Sequence, residues 1–180
     1  MQNQKTKTIQ LLAGILPILY ALCVIFLPLY SQLPIDNWDT FAVDRRIPDE
    51  SERVKSILFE MLLRRETDGY LIMSLPALML LAGILVLYIR SVKALQFAEI
   101  VSLLSVLLTL LIGFFVSVHS YVVQSIYLQF GSMPDPKLKL EYGYLPALLF
   151  AVVAFIAAAR ARRSMMQQHV TAENTDDEGA

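Results

Sequence analysis

Four long apolar runs divide the chain: Ile9 to Tyr30, Tyr70 to Ile89, Ala98 to about Val123, and Tyr144 to Ala159. Each approaches the ~20 residues a helix needs to cross a hydrocarbon layer of about 30 Å. Because an open strand in lipid leaves backbone donors and acceptors unpaired, the runs predict four transmembrane helices, near 9–30, 70–89, 98–123 and 144–159. Pro17 and Pro76 fall inside the first two. Each removes a backbone donor, and a packing kink is the favoured expectation over a gating hinge. The first run follows Lys5 and Lys7, as a signal sequence would, but exceeds the roughly 7–15 residue core of one and has no Ala-x-Ala site before Gln32. Leu22, which precedes Cys23, does not suit a lipoprotein site either. The run is expected to be an uncleaved anchor.

Between the first two runs, residues 31–69 form a long polar segment. Within it Val54, Ile57, Leu58, Met61 and Leu62 recur at spacings of three and four, which predicts an amphipathic helix over 49–65. Asp49 and Glu52 supply a capping-box pattern, and Arg64 with Arg65 complement the C-terminal dipole. Its mixed-charge polar face favours a cover over the bundle rather than a membrane-surface helix. Lys137 to Tyr142 alternates as a short strand does, and Thr40 to Val43 is the expected partner in a small outer strand pair. Tyr30, Trp38, Tyr70, Tyr142 and Tyr144 fall at one predicted boundary and read as an aromatic belt. Residues 166–180 turn polar and acidic, which predicts a disordered tail. Residues 1–165 are then one transmembrane domain.

Composition agrees with this pattern. The 180 residues are 56% hydrophobic and 17% charged, with a mean hydropathy of +0.55, whereas soluble domains carry about 25% charged residues. Where the charges sit decides more than how many there are. Lys5, Lys7, Arg90, Lys93, Arg160, Arg162 and Arg163 flank the spans in segments 1–8, 90–97 and 160–168, which hold no acidic residue, while 31–69 mixes six basic with nine acidic residues. The positive-inside rule therefore places both termini in the cytoplasm of a cell-membrane protein. A formal net charge of -1 argues against a nucleic-acid partner. The sequence has no glycine-rich phosphate loop, and its single Cys23 excludes an intrachain disulfide.

The third span carries Ser102, Ser105, Thr109, Gly113, Ser117 and Ser120 at helical spacing, and the fourth carries Ala147, Ala151, Ala154 and Ala158. Small residues allow close helix approach, so these stripes are expected to pack against one another. A polar path for a solute is the sharper but less favoured reading. His119 lies on a different face of the third span. A lone histidine without a second ligand is more often an interface residue than a haem or chlorophyll ligand, so no cofactor is expected. Glu99 is expected to be a solvated or paired carboxylate near Arg90 and Lys93. His119 and His169 fall on opposite sides of the predicted membrane and have no clustered nucleophile or metal ligands nearby, so neither a catalytic nor a zinc site is expected.

The long first outer loop ending in a helix, the long third span and the short second loop with strand character resemble the claudin-like tetraspan architecture. The resemblance is topological. Trp38 stands alone, without the Gly-Leu-Trp and paired loop cysteines of that family, so no functional residue carries over. A small bacterial membrane protein of another type fits the same pattern. The fold class expected is an all-α membrane protein: a four-transmembrane-helix bundle with an extra amphipathic outer helix and a small extracellular strand pair. The function expected is that of a non-enzymatic structural or accessory subunit, whose partners are the lipid bilayer and a membrane protein or a second copy of itself. Alternatives are a small oligomeric transporter or channel using the polar face of span three, and a lipid-binding or sensor protein using the outer helix.

Overall fold

The computed structural model describes residues 2–32, 54–56, 67–130 and 139–177. In chain order these form α1 (Gln2–Phe26), β1 (Tyr30–Gln32), β2 (Val54–Ser56), α2 (Thr67–Ile89), α3 (Val92–Phe130), β3 (Lys139–Leu140) and α4 (Tyr144–Asp177). At about 1.5 Å per residue, even α2 is roughly 34 Å long, and α3 and α4 far exceed one hydrocarbon thickness. Among the described residues, three helices are long and apolar enough to cross a membrane, over Lys7–Phe26, Val92–Val118 and Tyr144–Gln168; α2 contributes a shorter apolar stretch, Ser74–Ile89.

The four helices close into a ring. α1 packs on α2 and α4, and α3 packs on the same two, so each helix has two principal neighbours. Residues Arg90 and Ser91 alone join α2 to α3. Arg90 takes a left-handed φ of 47° just past the end of α2, the conformation that terminates a helix and turns the chain. Ser91 then caps α3: its hydroxyl accepts the Ala94 N–H at 3.1 Å, and its carbonyl accepts that of Leu95. The segment 90–97, expected as an inner loop, is thus a two-residue turn followed by helix.

At the opposite end the connections form a sheet of order β2-β1-β3. Antiparallel pairing sets Tyr30 opposite Ser56 on one side and Leu140 on the other. Glu141 N–H donates to Leu29 O at 3.0 Å, and the Ser31 hydroxyl donates to the Glu141 carboxylate at 2.6 Å. Ser31 is fully buried, so this contact ties the exit of α1 to the approach to α4.

Several expectations change. The first span ends at Phe26 rather than residue 30, because Pro28 lies beyond it and the chain turns into β1. Val54–Ser56 is strand rather than part of a helix over 49–65, since a ladder to β1 satisfies its backbone; Ile57, Leu58, Met61 and Leu62 lie outside the described residues. The strand at Lys139–Leu140 pairs with Tyr30 and Ser31, and Thr40 to Val43 lies outside the described residues. Residues 166–177 continue α4 instead of being disordered. No proline or glycine interrupts the chain between Pro146 and Gly179, so nothing in the covalent structure stops the helix earlier.

Candidate functional site

The bundle interior is rich in small side chains, with a few large ones such as Met79, Leu95 and Tyr20 among them. Ala147, Ala151, Ala154 and Ala158 on α4 are fully buried, as are Ala13 and Ala21 on α1 and Ala82 on α2. Many large side chains point the other way: Phe114 is 63% exposed, Phe115 61% and Leu145 71%. In water this distribution forfeits the hydrophobic driving force that buries leucine and phenylalanine ahead of alanine. In lipid no such force acts between helices, and close approach of small residues is what gives contact.

Two seams show how close the helices come. At Gly83 on α2 an added Cβ would lie 2.5 Å from the backbone oxygen of Gly14 on α1 and 2.7 Å from Ile18. At Gly113 on α3 an added Cβ would fall on the hydroxyl of Tyr144 at the start of α4. Tyr144 is therefore buried against α3 rather than standing in an aromatic belt, while Tyr142 is exposed. The Gly14–Gly83 seam is absent from the expectations, although Gly14, Pro17 and Ala21 share helical spacing, as do Pro76, Met79 and Gly83. That spacing is the signal that would have found it.

Ser102, Ser105 and Thr109 are all buried within this interior. Ser105 and Thr109 donate to the carbonyls four residues earlier, Val101 and Ser105, at 2.8 and 2.7 Å. Across the bundle, the Ser102 hydroxyl reaches Met79 Sδ at 3.7 Å, and Thr109 Oγ1 shares a 3.2 Å hydrogen bond with the hydroxyl of Tyr20 on α1. Each of these hydroxyls has a partner inside the chain. The packed stripe runs on to Gly113 at its seam with Tyr144. Ser117 is exposed rather than packed, its hydroxyl donating to the Gly113 carbonyl at 2.8 Å. Tyr20 and Met79 were missed by the sequence reasoning; both are buried polar or polarizable groups within apolar runs.

At the end carrying the α2–α3 turn, Glu99 on α3 meets Arg162 on α4. Arg162 Nε lies 2.7 Å from Glu99 Oε2, an ion contact off the hydrogen-bonding angle, and Nη2 donates to Oε1 at 3.3 Å. The side chains are 27% and 18% exposed. The carboxylate thus pairs across to another helix rather than with Arg90 or Lys93 nearby in sequence. Among the described residues no set of three or more His, Cys, Asp or Glu converges as metal ligands. His119 lies on α3, its side chain outside the described residues. No family model matches the chain, and no curated protein or solved structure matches it either.

Proposed function

We propose that the chain is a multi-pass protein of the cell membrane, with four spans and both termini cytoplasmic. It acts without catalysis as a structural or accessory subunit associating with other membrane proteins or with a second copy. The observation that carries the reading is the sorting of side chains. Small and hydroxyl residues face inward, where their polar atoms are engaged within the chain, and many large apolar residues face outward. Such an interior holds one chain together, and the outward faces are what lipid and partner helices meet. α2, with 23 residues, has the length to be the fourth span. The basic flanks share one end of the bundle and the sheet takes the other, which supports the positive-inside orientation. The claudin-like resemblance enters as a proposal about arrangement alone.

Extraction in mild detergent is expected to recover a stoichiometric partner or a homo-oligomer, and a strictly monomeric particle would count against the reading. The transporter alternative is judged in the same preparation. Solute or ion flux in reconstituted vesicles that vanishes in Ser105→Ala and Thr109→Val variants would replace the accessory role with transport.

A further inference from the structure

Between the first turns of α1 and the last turns of α2 lies a cavity of about 130 Å³ lined by Lys7, Gln10, Leu11, Val86, Leu87 and Arg90. Its lining is graded along the helix axes. Lys7 and Arg90 stand toward the end of the bundle, whereas Leu11, Val86 and Leu87 lie about one turn deeper. Deeper still, Gly14 and Gly83 bring the two helices together, and Leu87 packs on Gly14.

No carboxylate lines this cavity among the residues whose side chains are described. Among the residues whose side chains are described, Glu99 is the one carboxylate at this end of the bundle, and it is committed to Arg162. The C-terminus of α2 adds only about half a negative charge, and the N-terminus of α3, two residues on, offsets it. Two full cations, Lys7 from α1 and Arg90 from the turn after α2, together with Gln10 in the lining, suit a phosphate group.

We propose that this cavity binds the headgroup of an anionic phospholipid, with Lys7 and Arg90 on the phosphate. Leu11 commits the site to lipid rather than free phosphate: it is 50% exposed on the outside of the bundle, so the apolar wall runs from the cavity onto the surface that acyl chains cover. Basic pockets between transmembrane helices on the cytoplasmic side take anionic headgroups by this chemistry. The inference rests on the membrane-spanning reading above.

The test uses the full chain in detergent, stripped of lipid and titrated with phosphatidylglycerol or phosphatidylcholine, with bound lipid counted by native mass spectrometry. Lys7→Gln and Arg90→Gly are the variants. Glycine adopts the left-handed φ of Arg90 without cost, so Arg90→Gly removes the charge while easing the turn. Phosphatidylglycerol is expected to bind in preference to phosphatidylcholine, about fivefold more weakly for each charge removed and about thirtyfold for both. Arg163→Gln, on α4, is expected to change binding by less than about twofold. A double variant that binds phosphatidylglycerol as well as the parent does, or equal binding of phosphatidylcholine, overturns the proposal. Displacement of the lipid by inorganic phosphate assigns the site to free phosphate and overturns it too. Failure of the membrane reading looks different: the chain would stay soluble once detergent is withdrawn.

Discussion

Replacing Gly83 by alanine sets two opposite effects against each other. In an exposed helix interior, alanine is favoured over glycine by about 1 kcal/mol, so secondary structure alone makes Gly83→Ala stabilising. The α1–α2 seam reverses the sign. The new methyl would sit 2.5 Å from the Gly14 carbonyl oxygen and 2.7 Å from Ile18 Cγ1, well inside van der Waals contact. The Ile18 side chain can rotate away, but the Gly14 oxygen is backbone and moves only if α1 moves. Overpacking of this kind costs typically 1–3 kcal/mol, and without a hydrophobic force between helices in lipid little compensates for separating them. With the Gly14 backbone oxygen unable to yield, the cost falls in the upper part of that range, so Gly83→Ala is expected to destabilise the bundle by up to about 2 kcal/mol net, and Gly83→Leu by more. Reversible unfolding of the full chain, titrated with denaturing detergent in mixed micelles and followed by circular dichroism, measures the difference. Gly14→Ala is an internal comparison: its nearest contacts are Leu87 side-chain atoms at 2.5 and 2.6 Å, with the Gly83 oxygen farther away at 3.3 Å. It should cost less than Gly83→Ala. If Gly83→Ala proves neutral or stabilising, helix propensity has won and the two helices do not cross at these glycines.

The Glu99–Arg162 pair is expected to couple α3 to α4. Glu99→Gln and Arg162→Gln should each destabilise by about 1–2 kcal/mol, less than a fully buried pair because both side chains retain some exposure. The double variant should cost less than their sum, and strict additivity would show that the contact carries no energy. The orientation is checked by cysteine labelling after Cys23→Ser removes the one native thiol: in intact cells a membrane-impermeant maleimide should react with Tyr142→Cys and leave Lys93→Cys unlabelled. The reverse pattern would invert the topology.

The sequence alone determined that the chain is mostly helical, with long apolar helices at approximately these places, and that basic residues cluster near their ends. These follow from local quantities: the length of apolar runs, helical spacing, and charge near span ends. One helix face is set by the 3.6-residue period, and of the expected stripes Ser102, Ser105, Thr109 and the α4 alanines are buried while Ser117 is exposed. Only the tertiary structure decided what each stripe meets. Tyr20 on Thr109, Met79 on Ser102, Arg162 on Glu99 and Tyr144 on Gly113 join residues far apart in the chain, and no periodicity within one helix specifies its neighbour. The same limit explains Val54–Ser56, whose spacing reads as helix until β1 offers it a ladder. A strand's backbone hydrogen bonds come from another segment, so its existence depends on a partner that local pattern does not encode.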